Sequence, residues 1–145
     1  MTNRFESVLL TDWVFWMVRD ILESGEWKIV IRHAYVNTGN GRNLALSKAL
    51  SKRELAGKKY HKLDAFVDED ERFICIDAGA EDRALCLFHE CLEILFSDWK
   101  DDYFVPERWD ITEKDDPILF LEKATWNYLT EEQKEAIASF LPKRP

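Results

Sequence analysis

The segment Leu85 to Phe96, LCLFHECLEILF, constrains the fold more than any other part of this chain. Nearly every position is apolar, and the exceptions are His89, Glu90 and Glu93. Read as a helix at about 100° per residue, His89 and Glu93 lie about 40° apart and Glu90 falls within the same arc. A helix that is greasy on most sides and carries one narrow ionisable stripe has to be surrounded, so this segment is expected at the centre of its domain.

The rest of the chain is sized to surround it. With 145 residues, of which 46% are hydrophobic, the sequence predicts a single domain over 1–145 with a substantial core. No run approaches the roughly 18 apolar residues of a membrane span. MTNRFESVLLTDWVFW has acids within its apolar stretch and no small-residue cleavage site, so it does not read as a secretion signal. Cys86 and Cys91, five residues apart on one helix, point in different directions and cannot bridge. With three cysteines in all, a reduced, cytoplasmic setting is expected.

Local patterns predict the remaining elements. Thr11-Asp12 is expected to cap a first helix from about Trp13 to Glu23, closed by Gly25. Trp27 to Val36 reads as a strand with Trp27, Ile29, Ile31, His33 and Tyr35 on one face. Asn37 to Asn43 is rich in glycine but lacks phosphate-loop spacing, so it reads as a turn. Lys62–Val67 and Arg72–Asp77 are expected to form a hairpin around the acidic turn Asp68-Glu-Asp-Glu71. The motif helix is expected over about Glu81 to Ser97, with an aromatic and acidic loop from Asp98 to Lys114. Asp115-Asp116-Pro117 opens a third helix to about Tyr128. Thr130-Glu-Glu-Gln133 has the form of a capping box for a last helix ending near Leu141. This order predicts an α+β fold, a short sheet with a hairpin packed on helices. Trp13, Trp16 and Trp126 are expected in the core, and Trp99 and Trp109 in plain packing beside the loop.

Charge is unevenly distributed. Between Lys48 and Lys62, six cations (Lys48, Lys52, Arg53, Lys58, Lys59 and Lys62) face one acid, Glu54, a net +5 in a chain of net −8, leaving −13 elsewhere. This basic insertion, at about 44–62, is expected to be a short solvated helix with Leu44, Leu46, Leu50 and Leu55 available for packing. It offers a docking site for an acidic protein partner or a cover for the chain's own acidic surface. The overall acidity makes nucleic acid an unlikely partner.

The ionisable stripe has a chemical reading. Two ligands at i and i+4 on a helix can hold a metal between them, and a glutamate at i+1 can reach a metal-bound water as general base. Here the pattern is His89-Glu90-Cys91-Leu92-Glu93, with a carboxylate in place of the second imidazole of HExxH. Carboxylate oxygen ligates Zn²⁺ and also suits Mn²⁺. The best third ligand is Glu122, which shares a helical face with Ile118, Leu121, Thr125 and Leu129, where an unpaired carboxylate is costly. A metal, or a partner such as Arg or His, would account for it. Cys86 falls in the same arc but reads as a small buried hydrophobe. His33 reads as a packing residue and His61 as exposed.

The strand Phe73-Ile-Cys-Ile-Asp77, the helix with His89-Glu90 and the later helix with Glu122 resemble the minimal gluzincin metallopeptidases, including ImmA/IrrE-like and SprT-like proteins in a looser sense. The resemblance spans Trp13 to Leu141 in element order and about fifteen residues in motif. It implies a zincin-like domain of prokaryotic or phage type that hydrolyses peptide or protein bonds, with substrate added to an edge strand beside the active helix. It implies His89 and Glu122 as zinc ligands and Glu90 as general base, with Glu93 where the family has its second histidine. The alternative is a metal-free, catalytically inactive zincin-like or other α+β interaction domain, which binds a protein through the basic segment or the tryptophan-rich loop.

Overall fold

The computed structural model describes residues 4–103 and 117–143, with side chains described for 10–96 and 117–143. The fold is α+β, as expected. Its elements, in order, are α1 (Arg4–Glu23), β1 (Lys28–Asn37), β2 (Asn43–Leu46), α2 (Lys52–Ala56), β3 (Tyr60–Lys62), β4 (Ala65–Asp68), β5 (Phe73–Asp77), α3 (Arg83–Tyr103), α4 (Pro117–Trp126) and α5 (Glu131–Ala138). No helix of the described residues is long and apolar enough to cross a membrane.

The strands form a mixed sheet in the order β2-β1-β5-β4. β1 is its spine. Its first half runs parallel to β5, from Lys28↔Phe73 to Arg32↔Asp77, and its second half pairs antiparallel with β2 and with β3. β4 runs antiparallel to β5 as the predicted hairpin, and Arg72, with φ +53, sits in the turn between them. Strand alternation separates two apolar clusters. Ile29, Ile31, Ala65, Val67, Ile74 and Ile76 pack with α1 and α3, while Ala34, Phe66 and Cys75 build a smaller cluster with Val30, Ala45, Leu63 and Phe73.

One edge of β1 changes partner from β5 to β3, and Asp77 closes the gap. Its buried carboxylate accepts the Ala34 N–H at 2.9 Å on Oδ1 and the Gly79 N–H at 2.9 Å on Oδ2, and Lys62 Nζ lies 3.1 Å from Oδ1. The Ala34 carbonyl accepts the Leu63 N–H at 3.0 Å. Burial pushes the Asp77 carboxyl upward, but these donors and the Lys62 charge outweigh it and hold the group below its ordinary value.

α3 is central, as its composition requires: α1, α4, α5, β4 and β5 all pack against it. Leu87, Phe88, Cys91 and Leu92 are fully buried, and Phe88 lies 5.3 Å from the Trp126 ring. The capping box at α5 forms as predicted. Thr130 accepts the Gln133 N–H at 3.1 Å and Gln133 accepts the Thr130 N–H at 3.0 Å.

Several expectations are corrected. α1 begins at Arg4, so Thr11 and Asp12 lie within it and do not cap it. Both serve tertiary structure: Thr11 is buried, and Asp12 accepts a hydrogen bond from Gln133 Nε2 at 3.1 Å, tying α1 to α5. The basic segment is not one helix. Asn43–Leu46 is a strand, Tyr60–Lys62 is another, and only Lys52–Ala56 between them is helical. Leu55 is exposed. Trp13 and Trp16 are exposed at 56% and 55%, whereas Trp126 is buried as expected. α3 continues through Tyr103, past the expected loop start at Asp98. The remainder of that loop, with Trp109, and the cap at Asp115-Asp116 lie outside the described residues, as does the side chain of Trp99.

Candidate functional site

The ionisable stripe of α3 comes to rest against α4 on one side and the β4 edge on the other. His89, Glu90 and Glu93 share the helical arc that the sequence predicts, and Glu122 reaches them from α4. Glu122 Oε1 lies 3.1 Å from His89 Nδ1. A carboxylate only accepts, so Nδ1 carries the proton. On the ring's other nitrogen, Nε2 lies 3.6 Å from Glu93 Oε1. The partner that the apolar face of α4 demands for Glu122 is therefore His89.

Glu90 is the most enclosed of the four, at 8% exposure. Burial pushes its carboxyl up to about 7; His89 opposes the rise, and Glu93 and Glu122 add to it. For His89 burial alone acts downward, but the hydrogen bond it donates to Glu122 and the charges of Glu90, Glu122 and Glu93 raise it above the ordinary imidazole value. The site thus couples a carboxyl raised to about 7 with an imidazole raised above its ordinary value, a pairing that occurs at functional sites and in structural ion-pair networks alike.

Three of the four, His89, Glu90 and Glu93, border a cleft of about 370 Å³ between α3 and the β4 edge, with Ala65, Val67 and Glu69 on the strand side; Glu122 stands behind His89 and does not line it. β4 ends the sheet. The Asp77 N–H to Asp64 carbonyl bond of 2.8 Å fixes the phase of the hairpin, so Phe66 and Asp68 bond toward β5. The backbone N–H and C=O groups of Ala65 and Val67 point outward, and among the described residues nothing bonds them. None of residues 48–62 walls the cleft, so the basic segment does not cover it.

The donor types, one imidazole and two carboxylates, suit a divalent metal in kind. Their arrangement does not form a cage, because each nitrogen of the ring faces a different carboxylate. Among the described residues no group of three or more His, Cys, Asp or Glu side chains is placed to hold a metal ion. The cysteines stand apart from this chemistry. All three are free, and burial pushes Cys75 and Cys86 up to about 11 and Cys91 up to about 12, so none is a ready thiolate. His61 is exposed and His33 half-buried, and among the described residues Nδ1 of His33 has no hydrogen-bond partner.

Compared with protein-family models, with curated proteins and with solved structures, the chain has no match in any of the three. The function has to be argued from the geometry of the site. The four ionisable residues singled out in the sequence lie together between α3 and α4, whereas Asp77, the junction of the sheet, was not among them. The signal for Asp77 was a carboxylate ending an otherwise apolar strand, where a buried charge needs partners.

Proposed function

We propose that the cleft between α3 and β4 receives an extended peptide and that the protein is a minimal zincin-like peptide hydrolase. The observation that carries this reading is the position of the Glu90 carboxyl, raised to about 7, on the wall opposite the unpaired backbone groups of Ala65 and Val67. An extended segment adds to such an edge through main-chain bonds, which brings its carbonyls to the helix stripe. Glu90 is the general base in this reading. Its raised carboxyl suits accepting a proton near neutral pH and returning it to a leaving amine. His89, Glu93 and Glu122 would hold a Zn²⁺ or Mn²⁺ ion, and the metal would supply Lewis-acid polarisation of the scissile carbonyl. That role requires the imidazole to release one of its two carboxylate partners.

A second reading is favoured by those same two contacts. With both ring nitrogens facing carboxylates, the stripe is a self-satisfied network, and the cleft binds a peptide without cutting it. Metal analysis and peptide turnover separate the two. Stoichiometric zinc or manganese, lost in Glu122→Ala, together with peptide cleavage lost in Glu90→Gln, supports the hydrolase. Peptide binding that Val67→Pro abolishes, with no metal taken up and no thermal shift on adding one, supports the binding module.

A further inference from the structure

We propose that the peptide this cleft takes is cationic, an extended segment bearing Lys or Arg side chains. The inference rests on the reading of the cleft as a peptide site and concerns which peptide enters it.

The cleft does not end at Glu69. Asn43, Phe66, Val67 and Glu69 also line a second cavity of about 520 Å³, which continues to the β4–β5 turn and is walled there by Asp68, Asp70 and Glu71. Four carboxylates therefore surround the far end of the groove, and among the described residues Arg42 is the one cationic side chain in its walls. The Asp68 carboxylate is engaged within the turn, where it accepts the Glu71 N–H at 2.9 Å. Glu69, Asp70 and Glu71 are exposed, and among the described residues none of them forms an ion pair. At the near end Glu93 adds a further carboxylate to the same groove, beside His89.

A strand advances about 3.3 Å per residue. A segment bonded to Ala65 and Val67 therefore brings its next side chains alongside Glu69 and the turn. Leu44, Phe66 and Val67 give that stretch an apolar wall. A lysine or arginine lays its methylene stem along such a wall and sets its charge among the carboxylates. An acidic segment meets like charge along the whole groove and is rejected.

The test uses the full chain and three fluorescently labelled decapeptides of equal length: one Lys/Arg-rich, one uncharged and one Glu-rich, followed by anisotropy. The cationic peptide is expected to bind at least about tenfold more tightly than the uncharged one, with an affinity that falls as salt rises. The Glu-rich peptide is expected not to bind. The variant E69Q/D70N/E71Q should remove the preference for the cationic peptide over the uncharged one. A control with the same loss of charge elsewhere, E81Q/E132Q/E135Q, should keep the preference. All six positions are exposed, so both variants are expected to fold. Equal binding of cationic and uncharged peptides, or a preference that survives E69Q/D70N/E71Q, overturns the inference while leaving the cleft a peptide site. If no peptide binds, or if Val67→Pro changes nothing, the cleft reading itself fails and the inference with it.

Discussion

The imidazole of His89 is bonded across two helices: its Nδ1 lies 3.1 Å from Glu122 Oε1, on the helix that begins at Pro117. Both side chains are mostly enclosed, at 23% and 14% exposure, so the contact is worth more than a surface pair. It raises the imidazole above its ordinary value, and that direction fixes the pH dependence. A histidine with a raised folded value contributes stability that is complete below the unfolded value of about 6.5 and is lost as pH rises through the folded one. Glu122→Gln should lower the His89 titration midpoint, read by NMR of the ring protons, and cost about 1 kcal/mol below pH 6. An unchanged midpoint would remove the contact from the account.

Glu90→Gln should raise stability whereas Glu122→Gln lowers it, although the pH dependence has the same sign. The carboxyl sits at about 7 because burial disfavours its charge. Its contribution is therefore greatest below the unfolded value of about 4.3 and falls as pH rises through about 7. At pH 8 the amide variant should match or exceed the parent, by about 1 kcal/mol, with the advantage fading below pH 6. A residue that reduces stability at neutral pH yet occupies the cleft wall is what a functional carboxylate looks like. Urea unfolding at pH 5 and pH 8 checks this, and a variant destabilised equally at both pH values would contradict it.

Asp77 makes the complementary case. Its folded value lies below the ordinary one, so its contribution is present above about pH 4 and is lost as pH falls through the folded value. Asp77→Asn keeps an acceptor for the Ala34 N–H but loses the charge that Lys62 faces and turns an amide toward Gly79 or Lys62. A loss of about 2 kcal/mol at pH 7 is expected, shrinking toward pH 3. Lys62 is 48% exposed, so its own removal should cost well under that. Hydrogen exchange at Ala34 and Leu63 should rise in the same variant, since both amides meet at this junction.

What could be read from the sequence follows from how local each signal was. The α5 cap was legible because Thr130 and Gln133 satisfy each other within one turn. The central place of α3 was legible because its apolar residues leave no wide polar face. Glu122 was legible as needing a partner, since a carboxylate beside Ile118 and Leu121 cannot stand alone. Which group met it was not, because that depends on how α4 rotates against α3. Thr11-Asp12 misled for a related reason: polar residues preceding an apolar run resemble a cap, yet here Thr11 is buried and Asp12 bonds Gln133 of α5, more than a hundred residues away. β2 was hidden because Asn43–Leu46 is four residues long and lies beside the lysine-rich stretch, where helix propensity dominates the local pattern.

The tryptophans test the same lesson energetically. Trp126 is 9% exposed and stacks at a tilt on Phe88, the ring pair at the α3–α4 contact. Trp13 and Trp16 each leave more than half of their surface in solvent, and Trp16 meets Arg19 4.9 Å from its ring centre. Removing a buried indole takes away its transfer energy and leaves a cavity, whereas removing an exposed one does neither. Trp126→Ala should therefore cost about 3–5 kcal/mol and loosen the helix that carries Glu122. That variant should also lower the His89 midpoint, as Glu122→Gln does, because the carboxylate is held by the helix as well as by its own bond. Trp13→Ala and Trp16→Ala should each stay within about 1 kcal/mol of the parent in urea unfolding and leave His89 unmoved. A large loss in either would mean that the outer face of α1 is covered in the folded protein.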